Sequence, residues 1–315
     1  MRLEIAGDRI TGVVASAGVV AGDGATWLWS PIIDSHVHLA YWPVADQLVA
    51  SGVEAVVDLA APESALGAAA SGAAVGLHVL AAGPMLTRDH GYPLASWGSA
   101  GYGVGCYDAA GVTAVIDRLV RHGAQVVKLA LDDDGLDPAL VPIAVAAAHE
   151  RKRKVAVHAL SDASAALAAR AGADILAHTP VERLAEATVA LWRGRAVIST
   201  LAAFGGSAEA VDNLRRLRAA GATVLYGTDL GNARVAGPNL EEVALLRAAG
   251  LDDAAITDAM TAVPAAYWGL PFGIANGAEA SFVVLAGDPR RDAGVLLAPR
   301  AVWLRGHRVN YTGTH

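Results

Sequence analysis

Ile32-Ile33-Asp34-Ser35-His36-Val37-His38-Leu39 is an apolar run that ends in two histidines one residue apart. In a strand, residues i and i+2 share a face, so the run predicts a β-strand that points both imidazoles the same way. Such a pair is a two-ligand grip on one metal ion. Taken alone, an H-x-H is more often two hydrogen-bonded polar residues where a strand leaves the core. Recurrence along the chain changes that reading. Lys128 stands in Val126-Val127-Lys128-Leu129, His158 in Val155-Ala156-Val157-His158, His178 in Ile175-Leu176-Ala177-His178, and Asp229 in Tyr226-Gly227-Thr228-Asp229. Each potential ligand closes its own apolar run, whereas chance would scatter them over helices and loops.

Short apolar runs alternate with helical patterns between residues 32 and 270, which is the signal for repeated βα units and a parallel sheet. Eight runs are read, near residues 32–38, 53–59, 76–82, 125–131, 154–158, 174–178, 196–200 and 223–228. Eight strands separated by helices predict an α/β fold, a closed (β/α)8 TIM barrel over residues 32–270. The helices carry local signals: Ser161-Asp162 caps an Ala-rich run ending near Arg170 with Gly172 as its stop, and residues 211–220 end similarly at Gly221. Arg2-Leu3-Glu4-Ile5, Ile10-Thr11-Gly12-Val13-Val14, Ser281-Phe282-Val283-Val284-Leu285 and Ala301-Val302-Trp303-Leu304 read as short strands. Neither end buries a core alone, so residues 1–31 and 271–315 are expected to form one small composite β-layer.

At 315 residues the chain holds one large domain with an appendage, or two ordinary ones. Apolar residues make up 54%, much of it alanine, and aromatics only 5%, which points to close helix–sheet packing. A net charge of -7 and a single basic cluster, Arg151-Lys152-Arg153-Lys154 at a helix end, argue against nucleic acid. One cysteine, Cys106, excludes an internal disulfide and a thiolate zinc knuckle. Glu4 and Asp8 interrupt a secretory apolar region. The uncharged stretch 64–87 reads as a helix, a turn and a buried strand, and not as a membrane span. A cytoplasmic protein is expected, with a small-molecule substrate as its partner and a homo-oligomer as an open alternative to a monomer.

In a (β/α)8 barrel, functional residues come from the C-terminal strand ends, so all six candidate ligands would converge on one rim. Four imidazoles and a carboxylate suit a borderline divalent metal such as zinc. The ordered set Ile33-Asp34-Ser35-His36-Val37-His38, Val127-Lys128, Val157-His158-Ala159, Ala177-His178-Thr179 and Gly227-Thr228-Asp229-Leu230-Gly231 resembles the amidohydrolase superfamily, in its imidazolonepropionase-like and prolidase-like branch. Met260-Thr261-Ala262-Val263-Pro264-Ala265-Ala266, Gly273-Ile274-Ala275-Asn276-Gly277 and Val283-Val284-Leu285-Ala286-Gly287-Asp288-Pro289 extend the match. Pro31-Ile32 and Ala280-Ser281 depart from it, at structural positions.

The resemblance implies two divalent metal ions, zinc by donor type. His36, His38 and Asp229 would hold one and His158 and His178 the other, with Lys128 carboxylated to a bridging carbamate. It further implies amide C–N cleavage by a hydroxide shared between the ions, with Asp229 as general acid/base. An unmodified Lys128 paired with an acid is the plainer alternative. A decarboxylase or a cyclase/dehydratase on the same site, or a metal-binding protein without catalysis, are the competing functions.

Three weaker signals concern the pocket. His90 and Tyr92, after the third strand, are candidate substrate contacts, against an equally weighted exposed turn at Tyr92-Pro93. Asp132, in Asp132-Asp133-Asp134-Gly135, would select a cationic substrate group if it pointed inward, although a solvated loop or helix cap is the favoured reading. Residues 91–107, with Trp97, Tyr102 and Tyr107, read as a lid or a Gly-rich surface loop, and Trp42 as an apolar wall or a packing anchor.

Overall fold

The computed structural model describes residues 2–14, 26–67, 76–132 and 134–309. Asp133 and residues 68–75 of the stretch 64–87 lie outside them. β1 (Arg2–Ala6) and β2 (Arg9–Val14) form an antiparallel hairpin. β3 (Trp27–Trp29) leads into the barrel, whose eight strands are β4 (Ile32–Val37), β5 (Val53–Asp58), β6 (His78–Ala81), β9 (Val126–Ala130), β10 (Lys154–His158), β11 (Ile175–Leu176), β12 (Ala196–Ile198) and β13 (Thr223–Leu225). They are parallel neighbours in chain order. β4, β5 and β9 are buried along their whole length, as expected of a parallel sheet covered by helices.

Two seams close the cylinder. Between β4 and the residues after β13, Ser35 N donates to Tyr226 O at 2.9 Å, Asp229 N to His36 O at 2.9 Å and His38 N to Leu230 O at 2.6 Å. Between β6 and β9, Gln125 N donates to Ala81 O at 3.0 Å and Ala81 N to the Gln125 side chain at 2.9 Å. Here the structure adds to the reading. The third strand is split: beyond Gly83 the chain resumes as β7 (Met85–Thr87), which pairs with β9 through Leu86 and Leu129 and with β8 (Gly103–Gly105) through all three of its residues. The stretch read as a lid therefore leaves and rejoins the sheet.

The helices are α1 (Ala45–Ala50), α2 (Ala109–Arg121), α3 (Val141–Glu150), α4 (Asp162–Ala171), α5 (Glu186–Leu191), α6 (Ala208–Ala219), α7 (Leu240–Ala248), α8 (Asp253–Met260) and α9 (Ala262–Trp268). α2 buries Val112, Val115, Ile116 and Leu119, one stripe at helical spacing, and its N-cap Asp108 accepts from Gly111 N at 2.7 Å. α4 carries the expected Ser161 cap, paired reciprocally with Ser164, and stops at Gly172 in the left-handed region. Arg151 caps α3, and Lys154 opens β10.

Inside the cylinder small apolar side chains from successive strands, among them Val57, Val126, Ala156, Ile175, Ala196, Ile198 and Leu225, fill the floor. A second antiparallel sheet joins β3 to β14 (Phe282–Leu285), β15 (Ala301–Leu304) and β16 (His307–Arg308). No described helix is long and apolar enough to cross a membrane.

Candidate metal centre

Register fixes which residues face the barrel axis. Lys128 pairs with Ala156 and Ala130 with His158, so on β9 and β10 the inward file of Val126, Lys128 and Ala130 lies beside Ala156 and His158. His36 and His38 leave the end of β4, and Asp229 meets them across the first seam. The backbone there needs its glycines: a Cβ on Gly227 would lie 2.4 Å from Ile198 Cγ2, and one on Gly231 would lie 2.8 Å from His38 Cβ. Asp229 itself has φ of 55°, a left-handed conformation that aspartate tolerates and that turns its carboxylate back toward β4. Asn232 N and Ala233 N both donate to Asp229 O, at 3.1 and 2.8 Å, and hold that turn.

The result is a buried cluster. His36, His38, Lys128, His158, His178 and Asp229 are each at most 3% exposed. Asp229 Oδ1 lies 3.5 Å from His36 Nε2 and 3.1 Å from His38 Nε2, and the three donor atoms fall within 4.8 Å of one another. The His178 ring is 4.4 Å from that of His36 and 5.0 Å from that of His158, so His36 borders both groups. The charge of Lys128 is felt at His36, His158 and His178, and that of Asp229 at Lys128.

A hydrogen bond selects the tautomer of His36. His36 Nδ1 donates to the carbonyl of Ala177 at 2.8 Å, which leaves Nε2 as a bare lone pair, buried and without a protein partner. His178 Nδ1 pairs with Thr200 Oγ1 at 3.0 Å. On His158 the unpartnered buried nitrogen is Nδ1. Burial above all, then the nearby positive groups, holds His36 and His178 well below the ordinary histidine range and His158 down to about 3, so these rings are neutral at pH 7. A buried polar atom without a partner costs about 1–3 kcal/mol. Neutral imidazole lone pairs converging on a carboxylate are a donor set that a divalent cation satisfies, so the residues present fit a metal.

Burial also pushes the Lys128 amine down to about 7, against the opposing pull of Asp229. Behind the candidate ligands stand carboxyl groups that the sequence reading did not single out. Asp34 Oδ1 accepts from His36 N at 3.0 Å and Thr228 N at 3.1 Å, and burial raises it to about 7 in spite of these bonds. Asp58, at the end of β5, accepts from Ala40 N and Ala60 N at 3.1 and 3.2 Å; burial raises it to about 6, and His38 is the first influence opposing that rise. The signal for Asp34 was present, a charge inside an otherwise apolar strand. Asp58 offered the same signal.

Aromatic rings roof the cluster. Tyr92 stacks on His158 at 4.6 Å, Trp97 lies 4.9 Å from His38, and Phe204 meets His178 at 4.7 Å. Trp97 Nε1 donates to Tyr92 Oη at 3.2 Å. Trp97 and Phe204 were not singled out as contacts to ligand rings. Of the three tentative substrate contacts, only Tyr92 reaches the cluster. His90 is 92% exposed and faces Asp89 at 3.4 Å, because its backbone, at φ of 60°, turns it outward. Asp132 accepts from Leu160 N and from Ser161 Oγ, the latter at 2.8 Å, so its carboxylate braces the loop after His158. Cys106 is buried and its thiol is raised to about 11, unsuited to a nucleophile.

The sequence profile of the amidohydrolase family matches residues 30–311. No curated protein matches the chain. Among solved structures, similar ones include a Xaa-Pro dipeptidase with bound methionine in its active site, at 19% identity and a TM-score of 0.77, covering 98% of this chain and 94% of that one. Phenylurea hydrolase B aligns at 18% identity and a TM-score of 0.74, covering 96% and 91%. Ochratoxinase from A. niger aligns at 19% identity and 0.72, covering 91% and 84%.

Proposed function

Because the chain belongs to the amidohydrolase family, we propose that it is a metal-dependent hydrolase that cleaves the C–N bond of an amide, cyclic amide or dipeptide-like small molecule. The observation that carries this reading is the convergence of donor atoms of His36, His38 and Asp229 within 4.8 Å of one another in a buried cluster, with His36 Nε2 left without a hydrogen-bond partner. A dipeptide and a phenylurea, the substrates named in two of the similar structures, both hold a carbonyl carbon bonded to nitrogen.

His36, His38 and Asp229 would hold one ion, and His158 with His178 a second; four imidazoles and a carboxylate favour zinc. Such ions supply, when bound, a water that ionises near neutral pH and a positive field for the carbonyl oxygen. Lys128 would bridge them as a carbamate. Its amine, lowered to about 7, is in part uncharged at neutral pH and so nucleophilic; the nitrogen lone pair of that neutral form bonds to the carbon of CO2, a C=O π pair moves onto oxygen, one N–H proton leaves, and a neutral amine becomes a carbamate anion. Asp229 takes the proton from the attacking water and delivers it to the departing nitrogen as the C–N bond breaks. The products are a carboxylic acid and an amine, with one water consumed.

The test is metal analysis by inductively coupled plasma mass spectrometry, joined to mass spectrometry of products from a panel of amides, lactams and dipeptides. About two zinc ions per chain and products heavier in sum by one water are expected. Turnover by metal-free protein, or a product that has lost CO2 or water, would overturn the reading.

A further inference from the structure

The loop that follows Asp229 presents an exposed guanidinium, Arg234, whose central carbon lies 5.3 Å from the ring centroids of both Tyr41 and Trp42. These rings follow His38 by three and four residues, and their backbone amides donate to His38 O at 3.1 and 3.0 Å. Tyr41 packs 5.3 Å from Trp97, which lies 4.9 Å from His38. Continuous ring contact thus leads from the guanidinium to the candidate metal centre. The backbone is anchored at the other end too, since the turn before Arg234 is hydrogen-bonded to Asp229.

Two other arginines on loops at this end of the barrel, Arg88 and Arg183, pair with Asp134 at 3.2 Å and Asp212 at 3.1 Å. Arg234 has no carboxylate partner among the described residues. Stacking on rings engages the face of a guanidinium and leaves its in-plane N–H donors free, a fork that matches a carboxylate. The wall between, made of Tyr41, Trp42 and Trp97, is apolar and suits a flat or aliphatic body.

We propose that Arg234 anchors a free carboxylate of the substrate, so that the preferred substrates are amides with an apolar body and an acid group, in preference to neutral amides. This inference rests on the amide-hydrolase reading but is tested apart from it, by binding. Zinc-loaded protein is titrated with N-benzoylglycine, N-benzoyl-4-aminobutyrate and the neutral N-butylbenzamide, following tryptophan fluorescence.

At least one acid is expected to bind about tenfold or more tightly than the neutral probe, the range of a charge-assisted hydrogen bond. R234Q is expected to erase that preference and R234K to keep part of it. Equal affinities, no binding by any probe, or a preference that survives in R234Q would overturn the assignment. Should the acids bind with the expected preference while no amide, lactam or dipeptide of the panel is cleaved, the hydrolase reading fails and the role of Arg234 stands.

Discussion

Thr228 Oγ1 donates to Asp34 Oδ2 at 2.5 Å across 194 residues of sequence, and this bond fastens the strand that carries His36 and His38 to the turn that carries Asp229. The carboxylate is buried and accepts two further backbone N–H groups. T228V deprives it of one donor and is expected to lower stability by about 1–3 kcal/mol; D34A, which strands the donors instead, costs at least as much. Urea denaturation measures both, and a loss below about 0.5 kcal/mol in each would show that the seam does not depend on this pair.

D229N keeps the shape of the side chain and removes its basicity. A fall in kcat of about 10²–10⁴ is expected, with unchanged circular dichroism, if Asp229 moves the proton. Full retention of turnover would remove Asp229 from the mechanism.

Growth or incubation with 13C-bicarbonate should give a carbamate carbon signal in the wild type that K128R lacks, and zinc per chain should fall from about two to about one in K128A. An identical 13C spectrum for wild type and K128R would leave Lys128 as an unmodified amine.

Glu242, on α7, accepts from Ala202 N at 2.7 Å and is raised by burial from 4.5 to about 7. Its folded pKa exceeds its unfolded one, so the folded protein binds the extra proton. Stability from this group is full below about pH 4.5 and is lost as pH rises toward about 7. The loss approaches roughly 3 kcal/mol at about 1.4 kcal/mol per unit. E242Q retains the acceptor and cannot ionise, so the difference in unfolding free energy between pH 5 and pH 8 should shrink by up to that amount. The same pH dependence in both proteins would refute the assignment.

The clustering of the candidate ligands was legible because strand geometry writes it into the sequence: apolar runs that close on a histidine, lysine or aspartate bring those residues to one end of a parallel barrel. The capping of α4 by Ser161 and Gly172 was legible for an equally local reason. Trp97 was not read as a neighbour of His38, since that contact joins two loops whose approach no periodicity encodes. The split at Gly83 was hidden because each half of the third strand is too short to show alternation. His90 and Asp132 show the converse. Their positions after barrel strands were right for a pocket, but a left-handed backbone sends one to solvent and a neighbouring cap engages the other.

The first seam also governs how the chain reaches its folded state. β4 exposes one edge until residues 226–230 arrive to pair with it, and Asp34 stays without its Thr228 partner for the same interval. Contacts of that sequence separation are slow to form. Closure at this seam and the approach of Asp229 to His36 and His38 are consequently coupled, and a chain that stops short of Tyr226 lacks both the partner of the β4 edge and the carboxylate of the cluster.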